Sequence, residues 1–481
     1  MKSFAFIGPL LAVILPFILF ESFHNGILAD PFFEMPRGHF YIVSIVSVLS
    51  TMISIAVGIA GNRVRNIKVS FLALSFFTLG LMFSVHGLST PHFIMDMNHI
   101  PAISAQLSLF LATIWLWLSS LPSDNKWIEL LSRKQNWLLP SWAIALSIFA
   151  IIGMIFPTVA EWIPLNVKPL NVIIMTLTIL LNAIAMYRYY RSYRYSRFPL
   201  QIAIVYCTGW FMVSQWIMVR GELWRLSWWI YHFLLLASMV VMLIGLVKQY
   251  AVKGTMIGAL KSLFTNDPFE RITNSIVPSV KALIMATEKK DIYTAGHTLR
   301  VTMYALKLAE GLHLKPEQLR ALVQGGLLHD VGKINVPDTI LNKPGKLLPD
   351  ERALIEEHPV KGYEMCRVLG IMKEELSIIR SHHEKWDGSG YPDRLKGEEI
   401  SFYARIVAVA DVYDALTSDR SYRKAWPHSK AMDFIIDNKG SHFDPQCVDA
   451  WVKVCEQDPR VYQIPSQTIK DETTAKCLAT L

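Results

Sequence analysis

Through the first half of the chain, apolar residues run almost unbroken for about twenty positions at a time, with short polar breaks between the runs. Eight such stretches occur, at about residues 4–20, 39–60, 70–89, 102–121, 138–157, 169–187, 200–219 and 228–247. A helix needs roughly 20 mainly apolar residues to cross the hydrocarbon core of a bilayer. The pattern therefore predicts eight membrane spans over residues 1–247. Pro and Gly inside several of them are compatible with that reading, because membrane helices tolerate both better than soluble helices do.

Near residue 248 the pattern changes. Charges appear every few residues, the apolar period shortens to about 3.6 and β-type alternation is rare. Met256, Leu260, Leu263 and Phe264 fall at helical spacing. Asn266-Asp267-Pro268 interrupts, and Ile272, Ile276, Val280, Leu283 and Ile284 resume the face. Residues 248–292 thus read as a helical signalling linker, through which the chain could pair with a second copy. Residues 293–460 read as a separate domain of short and medium helices, punctuated by Pro316, Pro337, Pro344, Pro349, Pro359, Pro392, Pro427 and Pro445. Residues 461–481 are a polar tail. The predicted fold class is all-α throughout.

Composition sharpens this picture. Of 481 residues, 52% are hydrophobic and only 18% charged, and the mean hydropathy is +0.32. Soluble chains carry about 25% charged residues, so these values average two unlike halves. Lys and Arg mark the inner side of a membrane. Alternate breaks between spans hold Arg63, Arg65 and Lys68, then Lys126, Arg133 and Lys134, then Arg188, Arg191, Arg194 and Arg197; the other breaks hold only Arg37, Lys168, Arg220 and Arg225. Eight spans then place both termini, and the second domain, in the cytoplasm. The exit of the first span, Phe20-Glu21-Ser22-Phe23-His24, offers no small-x-small cleavage site, so that span is expected to be kept. Trp137, Trp162, Trp224, Trp228, Tyr187 and Tyr189 suit interfacial belts.

The net charge of +8 is largely this topology. The basic, aromatic run from Arg188 to Arg197 lies between two spans and is expected to form a loop on anionic headgroups, not a DNA or RNA surface. Cys207, Cys366, Cys447, Cys455 and Cys477 include no C-x-x-C pair and none on the outer side, which argues against structural disulfides and thiolate zinc.

The second domain carries the chemistry. His329 and Asp330 are adjacent in an apolar helical segment, and Lys333 follows three and four residues on, on the same side. A buried carboxylate and Lys need partners; a divalent metal and a phosphate would supply them. His297 shares a helical face with Val301, Ala305 and Leu308. His358 opens a helix, His382 and His383 extend the stripe of Ile378 and Ile379, and Asp411 follows Val407 and Ala408 by one turn. Imidazole and carboxylate without thiolate suit Fe, Mn or Zn. The ligands outnumber what one ion with an open position needs, so two ions are expected, with Asp330 between them.

Residues 382–392, His-His-Glu-Lys-Trp-Asp-Gly-Ser-Gly-Tyr-Pro, together with His329-Asp330-x-Gly-Lys333, resemble the HD-GYP domain, a branch of the HD metal-dependent phosphohydrolases. The resemblance extends through Asn342-Lys-Pro-Gly-Lys346, Glu357-His358-Pro359 and the run from Ala410 to Arg423, and covers roughly residues 270–455. It implies an all-α HD-type domain that hydrolyses cyclic di-GMP to pGpG or GMP, using two divalent ions, Fe or Mn. The implied metal ligands are His297, His329, Asp330, His358, His382, His383 and Asp411. Lys333 would steady the scissile phosphate, while Arg420 and Arg423 would hold phosphates or guanine. Gly390, Tyr391 and Pro392 would form a loop beside the site, and Glu384 and Asp387 would orient ligands and loop. Members with three metals carry Glu four residues before the first His; here that position is Tyr293, which points to two. Another cyclic dinucleotide, cyclic GMP-AMP, is an alternative substrate. Docking to a diguanylate cyclase without catalysis is an alternative role.

The histidines of the first half, His24, His39, His86, His92, His99 and His232, all fall toward the outer side on this topology. His24, His39, His86, His92 and His99 are candidates for a shallow outer sensory site for a metal, haem or small ligand.

Overall fold

The computed structural model describes residues 4–64, 66–90, 100–122, 125–156, 165, 167–261, 263–264, 278–291, 296–419 and 424–461. Among them no β-strand occurs, and pairing is confined to isolated bridges such as Phe32 with Arg225. The chain divides into two compact units, Met1–Asn266 and Asp267–Leu481.

The first unit contains α1 (Phe4–His24), α2 (Pro36–Val64), α3 (Ile67–Leu88), α4 (Ile100–Ser120), a short α5 (Lys126–Ser132), α6 (Gln135–Ile155), α7 (Leu170–Ser196), α8 (Pro199–Arg220), α9 (Leu226–Lys253) and a one-turn α10 (Met256–Lys261). Among the described residues eight helices are long and apolar enough to cross a membrane, namely α1–α4 and α6–α9. They coincide with the eight apolar stretches of the sequence. The corners follow local chemistry: Asn66 and Asn125 cap α3 and α5 by accepting from Lys68 N and Trp127 N, each at 3.0 Å.

Successive helices pack side by side, α2 on α3, α3 on α4, α7 on α8 and α8 on α9. The α2–α3 contact shows why small residues are needed there. A Cβ on Gly80 would stand 2.6 Å from Thr51 Oγ1 and 3.2 Å from the Ser47 carbonyl, while Ser47 Oγ donates to the Gly80 carbonyl at 2.8 Å. Close backbone approach and an interhelical hydrogen bond are the kind of contact that would hold helices together in lipid, where hydrophobic drive between them is absent. The outer faces stay apolar: Leu15 and Ile18 of α1 and Ile148 and Ile151 of α6 are exposed, surface that a bilayer would cover.

Some sequence expectations shift. Trp137 and Tyr187 are exposed as belt residues should be, but Tyr189, Trp224 and Trp228 are buried; Tyr189 shares a 2.6 Å hydrogen bond with Ser119. Trp162 lies outside the described residues. The run 188–196 is not a loop, because α7 continues to Ser196 and ends only where Arg197 turns left-handed at φ 55. The last long helix, α9, is likewise longer than its apolar stretch. It ends at Lys253, with Gly254 left-handed at φ +69. After it, α10, Leu263 and Phe264 pack back into the first unit, so Met256 and Leu260 serve that core instead of a free linker.

The second unit is formed by α11 (Pro278–Lys290), α12 (His297–Gly311), α13 (Pro316–Leu328), a 3-10 turn (Val331–Asn335), α14 (Asp338–Leu341), α15 (Pro349–Glu356), α16 (His358–Val368), α17 (Lys373–Ser381), α18 (Phe402–Thr417), α19 (His428–Asp437) and α20 (Pro445–Gln457). Helix α12 packs on α13, α18 and α20, and α17 packs on α13, α16 and α18. Val301, Ala305 and Leu308 of α12 meet a core that includes Leu322, Ile379, Val407 and Trp451, all fully or nearly fully buried. Each such Leu, Ile or Val side chain stabilises the fold by about 1.5–3 kcal/mol relative to exposure. The helices are thereby fixed with their functional ends converging.

A candidate metal centre in the second unit

The His329–Asp330 pair is not inside a helix. Helix α13 ends at Leu328, His329 caps it, and the chain tightens into the 3-10 turn from Val331. The cause is packing: a Cβ on Gly332 would collide with the His358 carbonyl, so the turn lies directly against the start of α16. Residues i and i+3 eclipse in a 3-10 turn, and this sets Lys333 Nζ 2.7 Å from Asp330 Oδ2. The expected proximity of Lys333 to Asp330 holds, by a different local geometry.

Around Asp330 the expected ligands gather from five places in the chain. Oδ2 of Asp330 lies 3.4 Å from His329 Nε2 and 3.9 Å from His297 Nε2, and His297 Nε2 is 3.2 Å from Asp411 Oδ1. Oδ1 faces the other way, 3.3 Å from His358 Nε2 and 4.0 Å from His382 Nε2. His383 completes that side; its ring centroid is 4.1 Å from that of His382 and 5.1 Å from that of His358. Two donor groups result, His297–His329–Asp330 and Asp330–His358–His382–His383, with Asp330 common to both. One carboxylate oxygen serves each group.

The rings are held in one orientation from behind. Nδ1 of His329 donates to the Gly326 carbonyl at 2.6 Å, Nδ1 of His358 to Ile355 at 2.7 Å and Nδ1 of His382 to Ile379 at 3.0 Å. Nδ1 of His297 meets Asp414 Oδ2 at 2.7 Å. A proton fixed on Nδ1 leaves Nε2 as a lone pair pointing inward, the arrangement of metal-binding histidines. Among the described residues, the buried Nε2 of His329 has no hydrogen-bond partner. The residues therefore fit a pair of metal ions, and the donor set suits Fe, Mn or Zn.

Electrostatics agree with this. Burial pushes His329 and His382 below the ordinary imidazole value and His383 down to about 3, leaving neutral rings. Burial opposes ionisation of Asp330 and Asp411 too, but Lys333 and the imidazoles around Asp330, and His297 beside Asp411, hold both carboxyls well below the usual range. His297 is the exception: Asp411 and Asp414 outweigh burial and raise it to about 9, so without an ion it carries a second proton on Nε2, facing Asp411, which a metal would displace. Lys333 is likewise raised, as Asp330 and Asp291 outweigh burial. It stays cationic at neutral pH.

The cluster opens into a cleft of about 320 Å³, lined by Lys333, Lys343 and Tyr391 and by the donors His297, Asp330, His358, His383 and Asp411. Tyr391 stacks on His383 with ring centroids 4.9 Å apart. Gly390 is needed here because a Cβ would stand 2.5 Å from Glu384 Cα and 2.6 Å from the His383 carbonyl. Glu384 fixes the loop by accepting from Asp393 N at 2.7 Å and Leu395 N at 3.2 Å. Asp387 accepts from Ser389 N at 2.8 Å, so it shapes the loop and not a ligand. Pro392 follows Tyr391 in the same loop. Arg420, Arg423 and Tyr293 lie outside the described residues.

Three residues of the site were not singled out in the sequence. Asp414, one turn after Asp411, is buried behind His297 and accepts from Arg300 Nε at 2.6 Å and Nη2 at 3.0 Å. Arg300 is one turn after His297. Asp291 lies 3.5 Å from Lys333. The i, i+3 spacing of Asp411 with Asp414 and of His297 with Arg300 was the available signal.

In the first unit, His39 and His86 come together with His232, deep between helices and not at a shallow surface. His24 is not with them; it ends α1 exposed, its ring stacked on Phe20. His92 and His99 lie outside the described residues.

Residues 280–447, which hold this all-α unit and its His/Asp cluster, match the family model described as HD domain. Over 197 residues the chain is 40% identical to a cyclic di-GMP phosphodiesterase of Vibrio cholerae, covering 37% of this chain and 39% of that protein. It is 43% identical over 178 residues to the cyclic di-GMP phosphodiesterase response regulator RpfG of Xanthomonas campestris, covering 36% and 47%. It is 40% identical over 172 residues to 3'3'-cGAMP-specific phosphodiesterase 2 of Vibrio cholerae, covering 35% and 32%. The chain thus spans less than half of the length of each of these relatives, 32–47%.

Proposed function

We propose that this chain is a membrane-anchored, metal-dependent phosphodiesterase of HD-GYP type that hydrolyses cyclic di-GMP to pGpG or GMP. The observation that carries this reading is the Asp330 carboxylate, with one oxygen facing each of two donor groups and a charged Lys333 at its edge. Two divalent ions held there, Fe or Mn, would polarise a phosphodiester and activate water. Around them the chain's own residues have separable tasks. Asp330 joins the two donor groups. Lys333 offers a cation to the phosphoryl oxygens, where charge develops during in-line displacement. Tyr391, stacked on His383, walls the cleft and excludes water from one side of it. Asp414 holds His297 with Nε2 inward. Replacement of Glu by Tyr293 before the first His supports two ions and not three.

Eight apolar helices with Lys and Arg concentrated on alternate connections support anchoring in the bacterial inner membrane, with the second unit in the cytoplasm. A second reading keeps the chemistry and takes cyclic GMP-AMP as substrate. It is favoured by the 40% identity to a cGAMP-specific enzyme. The test incubates the full-length chain in detergent micelles with each dinucleotide and Mn²⁺ or Fe²⁺ and separates the products. Turnover of cyclic di-GMP that disappears in a His329→Ala/Asp330→Ala variant is expected. Turnover of cyclic GMP-AMP alone would establish the second reading, and turnover of neither would leave a docking module.

A further inference from the structure

His39 lies in the first turn of α2, His86 in the last turn of α3 and His232 in the second turn of α9. All three side chains are buried, and one ligand atom from each lies within 4.8 Å of the others. Their hydrogen bonds determine where the protons are. Thr90 Oγ1 gives its single proton to the Gly87 carbonyl at 2.7 Å. Toward His39 Nδ1, 3.0 Å away, it can only accept, so His39 carries its proton on Nδ1. His86 Nδ1 is 2.7 Å from the Pro101 carbonyl, which also only accepts, so His86 is protonated on Nδ1 as well. A neutral imidazole has one N–H. Both Nε2 atoms are therefore bare lone pairs, yet they face each other at 3.0 Å. Two acceptors at this range repel unless a positive centre lies between or beside them.

The third ring adds to the demand. His232 is 1% exposed, and neither ring nitrogen has a hydrogen-bond partner among the described residues; the Trp228 carbonyl one turn back influences the ring without reaching hydrogen-bonding geometry. The surroundings are aromatic. Trp228 stacks on His39 with centroids 5.4 Å apart, and Tyr231 on His232 at 3.8 Å. A bare proton would place an imidazolium in this apolar shell at high cost. A metal ion offsets that cost through bonds to several nitrogens at once. Three imidazoles with a fourth position open are a known zinc geometry, and imidazole without carboxylate or thiolate suits Zn and Cu. The outer nitrogens of His39 and His86 are locked as those of metal ligands are. Nitrogens already 3.0 Å apart leave no gap for a haem plane between them.

We infer that His39, His86 and His232 form a binding site for a first-row transition-metal ion, zinc or copper, clamping α2, α3 and α9 at one end of the first unit. The site is distinct in chain and chemistry from the His/Asp centre of the second unit. Helix α9 is the last long helix before that unit in the sequence, so an ion here is placed to bias the element that leads to it.

The test must separate the two centres. In the full-length chain in micelles, His329→Ala, Asp330→Ala and His382→Ala together disable the second unit's centre. With Zn²⁺ or Cu²⁺ added and excess dialysed away, this chain should retain one ion. X-ray absorption should show an imidazole-only shell, with Zn–N at about 2.0–2.1 Å. Adding His39→Ala and His232→Ala should weaken binding at least tenfold. The same pair placed in the otherwise unsubstituted chain should lower its metal content by one ion. Failure of the intact three-histidine cluster to bind either ion with a Kd below about 1 μM would overturn the inference in favour of a shared proton. Retention unchanged by the His39 and His232 substitutions would overturn it as well. The first measurement leaves the cluster untouched, so it does not depend on how the cluster variants fold.

Discussion

Asp414 offers the sharpest test of how the second unit's centre is held. It touches no metal position, yet its buried carboxylate accepts from His297 Nδ1 at 2.7 Å and from Arg300 at 2.6 and 3.0 Å. Asp414→Asn keeps the shape, removes the charge and turns an N–H toward groups that themselves donate. Two consequences can be separated. The first concerns the metal: losing the group that orients a ligand histidine weakens metal binding by about 10–100-fold, which is about 1.4–2.8 kcal/mol. The second concerns folding: Arg300, itself buried, loses its counter-charge, and breaking one side of a buried ion pair costs about 3–5 kcal/mol. For a unit of this size that lowers the melting midpoint by roughly 6–20 °C.

A second substitution divides the two effects. Arg300→Met in the Asp414→Asn background removes the stranded cation. The midpoint should recover most of its loss, while metal affinity, read by competition with a chelator for Mn²⁺, should stay low. An Asp414→Asn chain that melts as the parent does and binds Mn²⁺ within twofold of it would refute the orienting role. Recovery of both properties in the double variant would show instead that Asp414 acts on the metal only through the fold.

Lys333→Met should lower kcat/KM for the cyclic dinucleotide by about 10²–10³-fold, the usual effect of removing one charge-stabilising donor. Its Mn²⁺ content should match the parent; lost metal would recast Lys333 as structural. Gly390→Ala should reduce turnover by about 10²-fold, because the loop must retreat from Glu384 and the His383 carbonyl and ligand misplacement of about 1 Å has that effect; unchanged steady-state rates would count against it. His442 tests a pH effect at a group that is not itself a candidate ligand, although Asp411 acts on it electrostatically. Burial, aided by Lys385, holds it down to about 4, so the folded form excludes a proton that the unfolded chain takes up below about 6.5. Its contribution is intact above pH 6.5 and is lost as pH falls toward 4, by at most about 3 kcal/mol. His442→Gln should flatten that part of the pH–stability profile relative to the parent; parallel profiles would argue that the ring is solvated.

What the sequence makes legible divides along physical lines. The eight long helices follow from apolar run length alone, because a helix that is apolar for about twenty residues has the length and composition to cross a bilayer whatever its detailed sequence. The candidate ligands of the second unit are legible because each sits at a helix end or on an apolar face where a polar residue has no structural reason to be. The course of the chain at His329 is not legible. The turn at Val331 is decided by how closely Gly332 approaches His358, a contact between residues far apart in the sequence of elements. Asp414 was hidden for a related reason. Its charge is paired across the fold with Arg300, and its one local signal, the i, i+3 spacing from Asp411, is shared by many exposed carboxylates.

The two histidine clusters show the same division within one chemistry. In both, a proton fixed on Nδ1 leaves Nε2 as the free donor. His329 and His358 are locked by carbonyls three residues back on their own chain, Gly326 and Ile355; such a lock is a property of the helix end and travels with the local sequence. His39 and His86 are locked by Thr90 and Pro101, 51 and 15 residues away. That lock exists only once α2, α3 and α4 have packed. Before packing, His39, His86 and His232 look like isolated polar residues near helix ends, no different from His24, which joins no histidine cluster among the described residues. A tautomer set by tertiary contacts cannot be read from spacing, and it is this tautomer, not the mere nearness of three rings, that makes the first cluster a site requiring a cation.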